Sequence, residues 1–248
     1  MKELVSVIMP AYNSSLTIKD SIKSVIVQSY KNIELIIVDD CSEDNTVEII
    51  QSFSTLDPRI KLIRNMINLG VAKSRNKAIA DARGEYVAFL DSDDIWCENK
   101  LKFHLTEMKK YKCNLSCSSY YTFSGIKENI ISVRKVKENI TYQDLLKSNQ
   151  VGCSTVICDM RFLNQLEFKS IGHEDYELWL NITKSGLSFL GVQEPLSYYR
   201  VSSDSLSSNK FKMILKQWNI YRKYQDISLL KSVYYTLHYM IRGVLKRI

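Results

Sequence analysis

Gly84-Glu85-Tyr86-Val87-Ala88-Phe89-Leu90-Asp91-Ser92-Asp93-Asp94 is the stretch on which the fold turns. An unbroken apolar run from Tyr86 to Leu90, bounded by polar residues, reads as a strand buried on both faces. Its carboxyl end delivers Asp91 and Asp93, and a turn there brings both side chains near one point. Carboxylates so close repel each other unless a cation lies among them. Hard oxygen ligands suit Mg²⁺ or Mn²⁺, ions that bridge phosphates. A turn with Asp94 as the N-cap of a following helix accounts for the same residues without an ion.

Upstream, Leu4 to Met9 is an apolar run closed by Pro10, read as a buried strand. Thr17 to Gln28 carries Ile18, Ile22, Val25 and Ile26 at helical spacing. Ile33 to Val38 is a second strand, ended by Asp39 and Asp40. Ser42, Asp44 and Asn45 then cap a helix containing Val47, Ile49, Ile50 and Phe53. Ile60 to Ile63 is a third strand, Asn68-Leu69-Gly70 a turn, and Val71 to Ala82 a helix that Gly84 closes as a left-handed cap. Continuous apolar strands alternating with amphipathic helices define an α/β chain with a parallel sheet covered on both faces. Ligands of such sheets bind beyond the carboxyl ends of the strands. Three of those ends carry polar pairs here: Tyr12-Asn13, Asp39-Asp40 and Asp91-Asp93. The second half is less regular. Strands are expected over Leu115 to Phe123, Val151 to Cys158 and Leu187 to Val192, and a helix over Glu174 to Ser185.

The 248 residues, 45% hydrophobic and 25% charged, describe one large globular domain or a domain with an appendage. Six cysteines include no Cys-x-x-Cys pair and only three His accompany them, which argues against zinc and for free thiols in a reducing cytosol. The start, with Glu3 and a short apolar run, does not read as a secretory signal, and no stretch reads as a membrane span. The net charge of +7 is concentrated beyond Ser208, where Lys210, Lys212, Lys216, Arg222, Lys223, Lys231, Arg242, Lys246 and Arg247 face Asp226 alone.

Five blocks carry a family resemblance: Val5-Ser6-Val7-Ile8-Met9-Pro10-Ala11-Tyr12-Asn13; Ile36-Ile37-Val38-Asp39-Asp40-Cys41-Ser42-Glu43-Asp44-Asn45-Thr46; Asn68-Leu69-Gly70-Val71-Ala72-Lys73-Ser74-Arg75-Asn76; the stretch quoted first; and Gly172-His173-Glu174-Asp175-Tyr176-Glu177-Leu178-Trp179. In this order they make the chain resemble a family 2 glycosyltransferase of the GT-A fold, an αβα fold with a mostly parallel central sheet. The resemblance implies transfer of a sugar from a nucleotide diphosphate donor, as a rule a UDP-sugar, to an acceptor hydroxyl. It divides the chain into a GT-A domain (1–208), with a nucleotide-binding half (1–95) and an acceptor-binding half (96–208), and a helical tail (209–248).

By that resemblance Ala11 and Tyr12 line the base and ribose pocket, Asp40 accepts a hydrogen bond from the base, and Asp39 supports the same wall. Lys73 and Arg75 lie on the nucleotide side, Arg75 offering its planar fork to phosphate. Asp93, with Asp91 beside it, holds Mn²⁺ or Mg²⁺ against the departing diphosphate. Asp175 takes the proton of the acceptor hydroxyl, with Glu174 as its understudy. One in-line displacement then inverts the anomeric carbon, and a UDP-α-sugar gives a β-linkage. Trp179, one helical turn after Asp175, either offers an aromatic face to an acceptor sugar or packs in the core, and His173 is expected to contact the acceptor or phosphate. The chain departs from the family at Tyr199-Arg200-Val201-Ser202, where many relatives have a His that ligates the metal or touches phosphate. Ser202 leaves the third protein ligand open to water or Asp204, and Ser202→His is expected to tighten activation by Mn²⁺.

Leu229 to Ile248 interleaves apolar residues with Lys231, Arg242, Lys246 and Arg247, the pattern of a basic amphipathic helix on an anionic membrane surface. A helix packed on its own domain or on a second copy in a homodimer fits as well. The membrane reading suits relatives that extend polyprenyl-diphosphate-linked saccharides for O-antigen, capsule or exopolysaccharide at the inner face of a bacterial plasma membrane, with no nucleic-acid partner. Other readings are a sugar-1-phosphate nucleotidyltransferase, a receiver-type signalling domain and a non-catalytic nucleotide-sugar binder. The first lacks its glycine-rich basic loop at Pro10-Ala11-Tyr12-Asn13-Ser14. The second leaves Asp91, Asp93 and Asp175 unexplained.

Overall fold

A computed structural model describes residues 3–163, 167–201 and 210–245. Its first half follows the expected alternation: β1 (Val5–Ala11), α1 (Ile18–Ile26), β2 (Ile33–Asp39), α2 (Thr46–Leu56), β3 (Ile60–Arg64), α3 (Val71–Asp81) and β4 (Tyr86–Phe89). The strands lie parallel in the order β3-β2-β1-β4, so the order reverses between β1 and β4. That reversal opens a crevice beyond their carboxyl ends. Every residue of β1 is buried, because helices cover both of its faces. Val5, Val7 and Met9 pack with Ile22 of α1 and Ile50 of α2. Ile8 on the other face packs with Ala72 and Ala78 of α3. The alternation follows from the two-residue period of a strand.

Two local expectations change. Strand β1 does not stop at Pro10 but runs on to Ala11. Its last partner in β4 pairs with Ile8, so proline's missing N–H falls beyond that ladder. Gly84 is not a left-handed cap, since α3 ends at Ala82 with an extended backbone. A Cβ at Gly84 would lie 2.7 Å from Leu4 O and 2.7 Å from Ser6 N. The residue is glycine because the chain passes against β1 there. Gly70, at φ 85°, does require glycine's conformational freedom.

The second half comprises β5 (Ile95–Trp96), α4 (Lys100–Tyr111), β6 (Leu115–Phe123), β7 (Ile130–Arg134), β8 (Asn139–Ile140), α5 (Tyr142–Lys147), β9 (Ile157–Asp159), α6 (Glu174–Lys184) and β10 (Phe189–Arg200). Among the described residues all strands join one sheet, continuing β4-β9-β6-β10-β5. Strand β9 pairs antiparallel with both β4 and β6 and so sits between the two halves. The strand expected from Val151 is a 3₁₀ turn, Cys153–Thr155, before the short β9. The last strand runs eight residues past the expected Val192, because β6 pairs with it in parallel as far as Arg200. Asp94 caps no helix; β5 follows it, and α4 begins after Asn99.

The tail is helical: α7 (Lys210–Asn219), a π-helical turn (Ile220–Tyr224) and α8 (Leu229–Leu245). Its inner side joins the domain. Tyr221 is fully buried and donates to Leu146 O (2.7 Å), and Tyr235 of α8 donates to Gln143 Oε1 of α5 (2.8 Å). The outer side of α8 leaves Leu229, Leu230, Val233, Tyr234, Leu237 and Ile241 exposed. Among the described residues no helix is long and apolar enough to cross a membrane.

Candidate active site

A cavity of about 580 Å³ opens beyond the carboxyl ends of β4 and β10 and receives Arg75, Asp91, Asp93, Asp94, His173, Glu174 and Asp175. Local structure brings these distant residues together. After β4 the chain turns through the acid cluster into β5, which pairs antiparallel with β10 at Ser197 and Tyr198. That pairing lays the acids beside Arg200, whose N–H donates to Asp94 Oδ1 (2.9 Å) and whose Nε donates to Asp93 O (2.8 Å). The 3₁₀ turn supports them from below. Asp91 N–H donates to Ser154 Oγ (3.1 Å), while Trp96 Nε1 and the buried Lys100 Nζ hold the Ser154 and Thr155 carbonyls (2.7 and 3.2 Å). Burial pulls the Lys100 ammonium down to about 7.

The electrostatics are those of crowded carboxyls. Burial first, and the Asp91 charge second, push Asp93 up to about 6. Asp94 is pushed well above the carboxylate range by burial and by both neighbours, and its buried Oδ2 has no donor. Arg75 is buried with its Nη2 2.5 Å from Asp91 Oδ1 and its guanidinium 5.2 Å above the Phe168 ring. The fork expected to hold phosphate is therefore engaged with Asp91. The orphaned Asp94 Oδ2 and the repelling carboxyls of Asp91 and Asp93 are a donor set suited to a hard divalent cation. Among the described residues no three His, Cys, Asp or Glu side chains are spaced to hold an ion alone. Water and ligand phosphates would have to complete the shell of an ion held there. Ser202 and Asp204, named as substitutes for the family His, lie outside the described residues.

Asp175 stands in the first turn of α6, behind a glycine turn at Gly172 (φ 77°) and His173. Burial lifts its carboxyl to about 6. Arg75 and the Tyr176 N–H (2.7 Å) pull it down, and Glu174 and Asp91 push it up. Glu174 lines the same cavity. His173 is held neutral, lowered to about 4 by burial and by the Lys216 charge, and its buried Nε2 has no partner. Trp179 is not at the acceptor face. It is fully buried against Phe89, Phe168 and Phe189, with ring centroids 5.6–6.2 Å away. Four residues beyond Asp175 along α6, its side chain falls on the helix face that meets the sheet.

The nucleotide-side residues gather at the ends of β1 and β2. Ala11 is buried and Tyr12 exposed. Asp40 differs from expectation: Oδ1 accepts from Asn65 Nδ2 (2.7 Å) and Leu69 N–H (2.9 Å), and Oδ2 from Gly70 N–H (2.7 Å). Burial raises its carboxyl, but these donors more than offset that and hold it below the usual range. Asp40 therefore shapes the Asn68-Leu69-Gly70 turn. Asp39 has the unspent oxygen: Oδ1 is buried without a donor, while Oδ2 accepts weakly from Ser42 N–H (3.3 Å). Lys73 is exposed on α3. Sequence reasoning missed Asp94, Tyr120, Tyr199 and Lys216 in the cavity wall. Only the run of three acids in four residues signalled the first of them.

An αβα sheet with acids at its crevice is the architecture of nucleotide-sugar transferases, and the comparisons agree. The profile of Glycosyl transferase family 2 matches residues 6–171. The chain is 41% identical to the UDP-Glc:α-D-GlcNAc-diphosphoundecaprenol β-1,3-glucosyltransferase WfgD of Escherichia coli, over 98% of this chain and 94% of that one. Its fold is similar to TarS of S. aureus in complex with UDP-GlcNAc (TM-score 0.73, 18% identity, 96% of this chain and 72% of that one). It is likewise similar to the mannosyltransferase PcManGT of Pyrobaculum calidifontis in complex with GDP-Man and Mn²⁺ (TM-score 0.71, 18% identity, 92% and 66%). The chain belongs to glycosyltransferase family 2 and has the GT-A fold. Membership sets aside the nucleotidyltransferase and receiver readings.

Proposed function

We propose that this glycosyltransferase moves a sugar from a UDP-sugar to a saccharide carried on a polyprenyl diphosphate, with inversion to a β-linkage. The observation that carries it is Asp175, whose carboxyl shares one cavity with Asp91 and Asp93 and has a proton affinity raised toward neutrality. A base poised near working pH suits removal of a hydroxyl proton. As the acceptor oxygen bonds to the anomeric carbon, its proton passes to Asp175. The bond from that carbon to the donor phosphate breaks, and its electron pair leaves on the diphosphate. A single displacement inverts the centre. WfgD, named as a β-1,3-glucosyltransferase acting with UDP-Glc, supports this outcome.

Asp93 and Asp91 would hold Mn²⁺ or Mg²⁺, which when bound offsets the charge of the leaving diphosphate. Arg75 fixes Asp91 through their ion pair. Asp39 Oδ1 is the better candidate for a base N–H, beside Ala11 and Tyr12. Residues 1–95 serve the nucleotide and 96–208 the acceptor. The outer stripe of α8, with exposed Lys231 among its apolar residues, supports peripheral attachment to an anionic membrane, which the cytoplasmic leaflet provides. The test is UDP release from a panel of UDP-sugars with Mn²⁺, with and without an α-GlcNAc diphosphate lipid. Acceptor-dependent release and a β-linked product are expected. Release that ignores every diphosphate-linked acceptor refutes the reading.

A further inference from the structure

We propose that Lys216 of α7 binds the diphosphate of the acceptor, holding the lipid-linked saccharide with its sugar at Asp175. The inference rests on the acceptor reading above and adds to it a residue and a direction of entry.

Asp91, Asp93, Asp94, Glu174 and Asp175 all line the cavity, and Arg75, Arg200 and Lys216 are the cations of its wall. Two of the cations are spent within the protein. Arg75 pairs with Asp91 at 2.5 Å. Arg200 donates to the carbonyls of Asp93 and Gly125 and covers the Phe123 ring at 4.5 Å. Among the described residues Lys216 has no carboxylate within ion-pair distance, and the hydrogen bond it makes there is a long one, 3.5 Å to Gly172 O. A cavity rich in carboxylates repels a second diphosphate unless a cation takes it.

Lys216 also stands near Asp175. Gly172, which it touches, precedes Asp175 by three residues, so their Cα atoms are at most about 11 Å apart. One sugar ring and its phosphate span a gap within that bound. Gly172 leaves the room: a Cβ there would fall 2.5 Å from Lys216 Nζ. The unpartnered Nε2 of His173 lies on the same wall and offers a second nitrogen. Helix α7 packs on α8, whose exposed apolar stripe supplies the lipid side, so an acceptor tail leaving past Lys216 continues along the tail helices.

The test compares two acceptors, an α-GlcNAc diphosphate bearing a short alkyl chain and the α-alkyl glycoside of GlcNAc without phosphates. The ratio of their kcat/KM values is read in wild type, Lys216→Gln and Lys216→Arg. The ratio is expected to fall about tenfold or more in the Gln variant, the loss of one charge-assisted contact, and to recover in the Arg variant. A wild-type preference for the diphosphate acceptor that survives Lys216→Gln overturns the proposal. Equal losses on both acceptors overturn it too, since they mark a structural role. A wild type that does not prefer the diphosphate acceptor instead refutes the acceptor reading on which the proposal stands.

Discussion

Replacing Asp175 with Asn is expected to abolish transfer while making the protein more stable. Burial lifts this carboxyl from 3.8 to about 6. A folded-state value above the unfolded one means that the native protein holds a proton the unfolded chain has already released. Stability therefore falls as pH rises from 3.8 to about 6. At ~1.4 kcal/mol per pKa unit, the charged carboxylate costs the native state at most about 3 kcal/mol above that window. Asn removes the charge, and its Oδ1 still accepts the Tyr176 N–H. Urea melts from pH 4 to 8 should give a stability gain that is largest at neutral pH and vanishes below about pH 4. For a chain of this size the gain corresponds to roughly 2–4 °C in Tm per kcal/mol. UDP release should fall by at least ~100-fold, the ordinary worth of a general base. In wild type kcat/KM should rise with pH through about 6 and level off. A variant that is no more stable at neutral pH, or whose gain ignores pH, refutes the electrostatic reasoning. Full turnover by the variant refutes the assignment of the base.

Asp39→Ala should raise the KM for the UDP-sugar about tenfold with little change in melting, whereas Asp40→Ala should cost ~1–3 kcal/mol of stability by orphaning buried donors. Donor titrations and thermal melts of the two variants separate the roles. Trp179→Ala should destabilise the fold by about 3–5 kcal/mol, as removal of a buried indole does; a variant that melts normally but loses acceptor affinity would return Trp179 to the acceptor face. Leu237→Glu with Ile241→Glu, both exposed, should leave the melting within ~0.5 kcal/mol. The pair should abolish sedimentation with vesicles containing anionic lipid. Unchanged sedimentation would show that α8 is not the anchor.

The first half of the fold was legible because its strands are buried on both faces and read as unbroken apolar runs. The second half was not, because its pairings join distant segments: β10 lies parallel to β6, and β9 reverses direction between β4 and β6. No local pattern encodes such a partner. The acids of the cavity were visible as residue types, but their division of labour was not. Asp39 and Asp40 are adjacent, and only the position of the Leu69 and Gly70 N–H groups decides which carboxylate is spent. For Trp179 the four-residue spacing gives the face it shares with Asp175, but not the Phe89, Phe168 and Phe189 rings that close over it one turn on and decide for the core. Lys216 carried no local signal, since the packing of α7 across the cleft is what brings it to the wall.

Strand β9 has a consequence for synthesis of the chain on the ribosome. The parallel unit β3-β2-β1-β4 is complete in sequence by Phe89, yet the free edge of β4 is covered only by Ile157–Asp159. An uncovered edge is a template for pairing with other chains. Until those residues emerge, the nascent protein exposes that template, and a fragment ending at the acid cluster would keep it permanently. The nucleotide half is thus expected to aggregate when expressed alone, and the shortest fragment that stays dispersed to reach past β10, which in turn covers the edge of β6.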